Sequence, residues 1–223
     1  MVTSENIGQD QLKEHKRRIA FHEAGHATAI YFNNKARNLP PVFFQINLKN
    51  INGKPEEYLK TRQTMHDDCI VGVEGGRLVE FLPSSIDALA DNTTSHDESM
   101  ADLIKAIEAD IINLLIGPLA EAKYVADTDG EIFNQKLVNL NALKHYGGRS
   151  DLALVNDYLQ SFSPYKQQQD KKRDELFSIA FGFIKDQQSW AAITKLANYI
   201  IDGNKILIGY EEVVSLLGCP IDD

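Results

Sequence analysis

Leu12, Ile19 and Ile30 recur at helical spacing around a run of small residues, and they predict a first helix over about Asp10 to Asn33. Its early turns are basic (Lys13, Lys16, Arg17, Arg18), and Asn33-Asn34 marks its end. After Pro40-Pro41 the period changes to two. Val42, Phe44, Ile46 and Leu48 alternate with Phe43, Gln45, Asn47 and Lys49, which predicts a half-buried strand, and Asn52-Gly53 supplies a turn. Ile70 to Val73 and Arg77 to Leu82 flank Glu74-Gly75-Gly76 and read as two more strands joined by a tight turn. A small sheet therefore follows the first helix.

The rest of the chain has helical periodicity. Ser95 and Glu98 form a capping box before a long helix that buries Met100, Leu103, Ile104, Ile107, Ile111, Leu114 and Leu115. Gly117-Pro118 should kink or interrupt it ahead of Leu119 to Val125. A polar loop at Asp127 to Gly130 leads to a second helical stretch ending near His145. Gly147-Gly148-Arg149-Ser150-Asp151 then turns the chain, with Ser150 as the cap of a helix carrying Leu152, Val155, Leu159 and Phe162. Behind the polar lead-in Gln167 to Glu175, Leu176, Ile179, Ala180, Phe183 and Ile184 mark another helix. Ser189 is expected to cap the next, which carries Trp190, Ile193, Leu196 and Ile200 and stops at Gly203. Tyr210 to Leu217 forms the last.

Composition narrows the function classes. The chain has 223 residues, 43% of them hydrophobic and 25% charged, which suits a folded globular chain with a substantial core. A net charge of -9, with no Lys/Arg cluster that obviously provides a basic face, argues against a general nucleic-acid binder. The longest apolar run, Ile111 to Leu119, is about half of the roughly 20 residues needed to span a bilayer, so no transmembrane segment is expected. Met1 to Asp10 is polar and lacks a signal-peptide core, so the expected location is cytoplasmic. Cys69 and Cys219 form no Cys-x-x-Cys pair, suit a reducing compartment and read as packing residues. No phosphate-binding loop is found.

The chemistry is concentrated in Phe21-His22-Glu23-Ala24-Gly25-His26-Ala27. Its His-Glu-x-x-His pattern puts His22 and His26 one turn apart on a single helix face, where two imidazoles supply two of the three protein ligands of a catalytic zinc. Glu23 is placed to take a proton from the attacking water. The plainer reading is a buried His pair used for packing or hydrogen bonding. Gly25 costs about 1 kcal/mol of helix stability relative to Ala, so something must approach the helix closely there: a metal with its substrate, or a tightly packed neighbour. The metzincin extension is absent. Candidates for a third ligand are His66, His96, Glu121, His145 and Asp151. Residue chemistry alone does not choose among them, and Asp151 equally suits the N-terminus of its own helix.

Three blocks resemble the peptidase domain of FtsH-type ATP-dependent zinc metalloproteases. Ala20-Phe21-His22-Glu23-Ala24-Gly25-His26-Ala27 matches that family's metal helix almost letter for letter, and Ile116-Gly117-Pro118-Leu119-Ala120-Glu121-Ala122 is similar to its Gly-rich, Ala-Glu-containing segment. Gly147-Gly148-Arg149-Ser150-Asp151-Leu152 is similar to its Gly-x-x-Asn-Asp-Leu turn, whose Asp is the third zinc ligand. Ile193 to Leu217, with Gly209-Tyr210-Glu211-Glu212, resembles its closing helices. Pro118, Ser150 and a longer Asp127 to His145 connection depart from the family pattern, and the family's ATPase ring and membrane segments have no counterpart here.

The resemblance implies a zinc metalloendopeptidase acting on peptides or unfolded protein, with His22, His26 and Asp151 holding Zn2+ and Glu23 as general base. An edge strand within Val71 to Leu82 would pair with substrate backbone, although an ordinary core strand is the simpler role. Two other readings stand beside this one: a catalytically idle module that binds a partner, and a peptidase served by an ATPase on another chain. Family relatives form hexamers through both modules, so the oligomeric state is left open. The expected fold is α+β and mainly α-helical: a zincin-like metal helix and small sheet over about 10–92, and a helical C-terminal bundle over about 95–217, as one domain of residues 1–223.

Overall fold

The computed structural model describes residues 4–49, 71–82 and 97–218. Two 33-residue helices, α1 (Ser4–Ala36) and α2 (Asp97–Asp129), pack along each other as the spine. Around them lie α3 (Arg149–Phe162), α4 (Lys166–Lys185), α5 (Gln187–Asp202) and the short α6 (Tyr210–Gly218), and a 3-10 helix at Ala142–His145 precedes α3. The fold is α+β and mostly helical. Among the described residues, no helix is long and apolar enough to cross a membrane.

Among the described residues the sheet is antiparallel, three-stranded, and ordered β2-β1-β3, where β1 is Phe44–Asn47, β2 Gly72–Gly75 and β3 Leu207–Gly209. Phe44, Ile46 and Leu48 are buried as their alternation predicts, while Gln45 is exposed. The expected strand pair across Glu74-Gly75-Gly76 does not form. Glu74 and Gly75 lie inside β2, paired with Gln45 and Phe44. Gly75 and Gly76 both take positive φ, near 79° and 78°, and turn the chain out of the sheet. Beyond the turn, the amides of Leu78 and Val79 bond the carboxylate of Asp110 on α2, each at 2.9 Å, in place of a strand partner.

Other expectations shift for local reasons. Asn33 and Asn34 do not end α1; both are buried, and their side chains bond Asn113. Pro118 does not interrupt α2, which runs on to Asp129. The stretch after Gly130 is irregular up to the 3-10 helix, because Asn134 and Asn139 side chains accept the amides of Lys136, Leu137, Asn141 and Ala142 and so compete with helix. α3 begins at Arg149 with Gly148 at its N-cap, which places Ser150 inside the first turn. α5 is capped by Asp186, whose carboxylate accepts the Ser189 amide. In α4 the buried face carries Leu176, Phe177, Ala180, Phe181 and Ile184, leaving Ile179 41% exposed. The turn at Asn52-Gly53, both cysteines, and Ser95, His66 and His96 lie outside the described residues.

Asp110 is itself buried, and burial pushes its carboxyl above the ordinary carboxylate value against the opposing hydrogen bonds from Leu78, Val79 and Tyr158. The Tyr158 hydroxyl lies 2.8 Å from the Val79 carbonyl and 3.0 Å from Asp110 Oδ2. The phenol O–H has one proton for two acceptors, the Val79 carbonyl and the Asp110 carboxylate. Because the pKa of Asp110 is higher folded than unfolded, the folded state holds the extra proton from the ordinary carboxylate value up to the raised one, and this group's contribution to stability falls as pH rises through that interval. Asp110→Asn is expected to flatten this part of the pH profile. It should also cost about 1–3 kcal/mol, since its NH2 end cannot accept a backbone amide. Urea denaturation at several pH values reads both effects; an unchanged slope would remove Asp110 as its source.

Candidate metal centre

The centre is built where α1 and α2 cross. Gly25 lets them approach: a Cβ there would lie 2.8 Å from Ala120 Cβ and 3.1 Å from Gly117 Cα. The close neighbour expected at Gly25 is thus α2 itself. Gly117 has the reciprocal role, because its missing side chain is the space filled by the His26 ring; a Cβ would lie 2.2 Å from His26 Nε2. Farther along, Pro118 packs on Gly148, where a Cβ would meet the proline ring at 2.9 Å. Together with Gly147 at φ 71°, this contact sets the turn that delivers Asp151 in the first turn of α3.

These contacts bring His22, His26 and Asp151 together, with one ligand atom from each within 4.8 Å of the others. His22 Nε2 and His26 Nε2 are 3.1 Å apart. Asp151 Oδ2 lies 3.4 Å from His22 Nε2, and Oδ1 lies 3.5 Å from His26 Nε2. Of the other third-ligand candidates in the described residues, Glu121 meets His22 at the far ring nitrogen, with Oε2 3.1 Å from Nδ1. His145 contributes its main-chain carbonyl, 3.3 Å from Arg18 Nη2, and its ring is not in the cluster.

The hydrogen bonds settle the histidine tautomers. His26 Nδ1 is 2.9 Å from the carbonyl oxygen of Asn113. A carbonyl only accepts, so Nδ1 carries the proton and Nε2 of the neutral ring is bare. His22 Nδ1 faces a carboxylate whose other oxygen accepts from Arg18 Nε at 3.0 Å and Nη2 at 2.8 Å, so Nδ1 donates there too. Two bare nitrogens and a carboxylate then face one another in a buried space, an acceptor-only arrangement that repels itself unless a cation sits among them. Asp151 Oδ2 is buried and has no donor at hydrogen-bond geometry. Burial pushes the Asp151 carboxyl up, and it is held below the usual carboxylate range when the facing His26 and His22 rings carry positive charge, a role a cation among the three takes over when the rings are neutral.

This donor set fits zinc. A tetrahedral site with metal–ligand distances of about 2.0–2.2 Å has edges of about 3.3–3.6 Å; the two Nε2 atoms are slightly closer, at 3.1 Å, and they face different oxygens of Asp151, at 3.4 and 3.5 Å. The outer partners also match the way metal-binding histidines are oriented, each giving its other N–H to a carboxylate or a carbonyl. Glu23, 2% exposed, follows His22 on α1, and its Oε2 accepts the amide of Val73 at 3.0 Å. Since the Gly76 amide bonds Phe43 O, the paired register turns Val73 away from β1. The carboxylate of Glu23 therefore sits on the side of β2 away from β1, which has no strand partner among the described residues.

The residue pattern pointed to His22, Glu23 and His26 and left the third ligand open. It read Arg18 only as part of a basic first-helix turn, although Arg18, His22 and His26 stand at i, i+4 and i+8. Asn113 acts through its main chain and leaves no residue-type signal. Comparisons with protein-family models, with curated proteins and with solved structures return no match.

Proposed function

We propose that the chain is a zinc metallopeptidase of the FtsH peptidase type, hydrolysing peptide bonds with a metal-activated water and Glu23 as general base. The observation that carries this reading is the acceptor-only cluster of His22 Nε2, His26 Nε2 and Asp151 beside a buried glutamate on the same helix. A structural zinc site usually has four protein ligands and no use for a neighbouring base; three ligands and a Glu suit catalysis. When bound, zinc supplies a Lewis acid for the scissile carbonyl and acidifies a water.

The chain's own groups do the rest. His22 and His26 would hold the ion through Nε2, while their Nδ1 N–H groups donate to the Glu121 carboxylate and the Asn113 carbonyl. Glu23 takes a proton from the attacking water at a carboxylate oxygen and returns it to the leaving amine. Its anchor on Val73 supports a position beside β2, whose side away from β1 has no strand partner among the described residues; an extended peptide would add there through backbone groups other than the Val73 amide. Unfolded protein is the substrate class this geometry favours, whether it arrives alone or from an ATPase on another chain.

The test is release of peptides from casein by the purified chain carrying one zinc, with chelator removal and zinc restoration. Activity that disappears and returns with the metal supports the reading. One bound zinc without cleavage would turn it into an idle binding module or one waiting for an ATPase, and a chain that binds no zinc would end it.

A further inference from the structure

Arg18 lies outside the ligand set, yet it bonds two groups that border the centre, Glu121 and His145. On α1 it precedes His22 by one turn. Its Nε and Nη2 both donate to Glu121 Oε1, at 3.0 and 2.8 Å, and Nη2 also reaches the His145 carbonyl at 3.3 Å. Glu121 passes its other oxygen to His22 Nδ1. His145 ends the 3-10 helix that leads through Gly147 and Gly148 to Asp151.

We infer that Arg18 is a positioning residue of the His22–His26–Asp151 centre: it orients His22 through Glu121 and tethers the segment that delivers Asp151. The inference rests on the metal-site reading above. Glu121 is 7% exposed at its side chain and Arg18 35%, so the guanidinium closes the outer end of a buried relay. Without Arg18, Oε1 of Glu121 loses the two N–H donors of the guanidinium. The carboxylate is then held less firmly, and with it the imidazole that donates to its other oxygen. Planar guanidinium geometry matters here, because two nitrogens converge on one oxygen while one of them also spans to a second element; an ammonium is a single point donor.

Zinc affinity of the purified chain, measured by competition with a chromophoric chelator, tests this alongside the visible spectrum of the Co2+-loaded protein. Arg18→Met is expected to weaken zinc binding about 10–100-fold and to change the cobalt bands, with Arg18→Lys recovering part of both. The same loss is expected for Glu121→Gln, and the double variant should be little worse than either single one. Parent-like zinc affinity and an unchanged cobalt spectrum in Arg18→Met, even with a lowered melting temperature, would overturn the inference and leave Arg18 a surface ion pair. Failure of the parent chain to bind zinc would remove the metal site and this role with it. That result is distinct from a parent that binds and an Arg18→Met that binds equally well.

Discussion

Glu23→Gln is expected to lower casein hydrolysis by the zinc-loaded chain by about 100- to 10,000-fold, the range that a positioned general base contributes. The change is nearly isosteric. Its amide oxygen still accepts the Val73 amide that Glu23 Oε2 accepts at 3.0 Å, so fold and zinc content should stay at parent levels. The amide has no basic oxygen, and the proton of the attacking water then has no acceptor next to His22. Hydrolysis, zinc stoichiometry and melting temperature should be measured on one preparation. A variant that keeps more than about a tenth of parental activity would show that Glu23 does not move the proton.

Gly117→Ala is expected to damage the centre from the opposite helix. Its Cβ would fall 2.2, 2.4 and 2.6 Å from His26 Nε2, Cε1 and Cδ2, so the ring has to leave its place. Zinc affinity should fall by about 100-fold or more, beyond the usual effect of disturbing an outer partner. Overpacking should cost about 1–3 kcal/mol of stability, against a helix-propensity gain of about 1 kcal/mol. Gly182→Ala is the control: it too lies within a helix, and nothing lies within 4 Å of a Cβ there, so only the stabilising part should appear. If Gly117→Ala behaves like Gly182→Ala, His26 does not sit against α2 as described.

Local patterning foretold those parts whose cause is local. His22 and His26 share a face because four residues make about one helical turn, and Phe44, Ile46 and Leu48 share a face because strands alternate. The buried positions of α5, Ile193, Leu196 and Ile200, fall on the expected stripe. Other features depend on partners distant in the chain. Leu207-Ile208-Gly209 is too short to show a period and becomes β3 by pairing with Gln45 to Asn47. The segment after Gly76 has strand-like composition, but its amides are claimed by Asp110, more than 30 residues later. Ile179 faces outward because Phe177 and Phe181 take the interior, with Phe181 stacked on Phe133 at 4.7 Å.

The candidate site divides in the same way. Its two histidines and glutamate are contiguous and legible as a motif. The residue types left Asp151, Glu121 and His145 level. Their different positions come from the Pro118–Gly148 contact and the Arg18–Glu121 pair, which no spacing rule encodes. Asp151 faces the Nε2 atoms, Glu121 faces Nδ1 of His22, and His145 offers only main chain.

The elements that meet at the α1–α2 crossing are far apart along the chain: His22 and Glu121 alone are separated by 99 residues. An unfolded chain therefore presents a histidine pair and little else to a metal, and only the assembled helices offer the full set. Zinc bound at the proposed centre would be a ligand of the folded state, and mass action would give it a share in holding that state: at 100 times its dissociation constant it would add about 2.7 kcal/mol. Chelation would return that share and leave two lone pairs and a carboxylate opposed at 3.1 to 3.5 Å. The strain would fall first on the Gly147-Gly148 turn, the part of the centre with the least helix behind it.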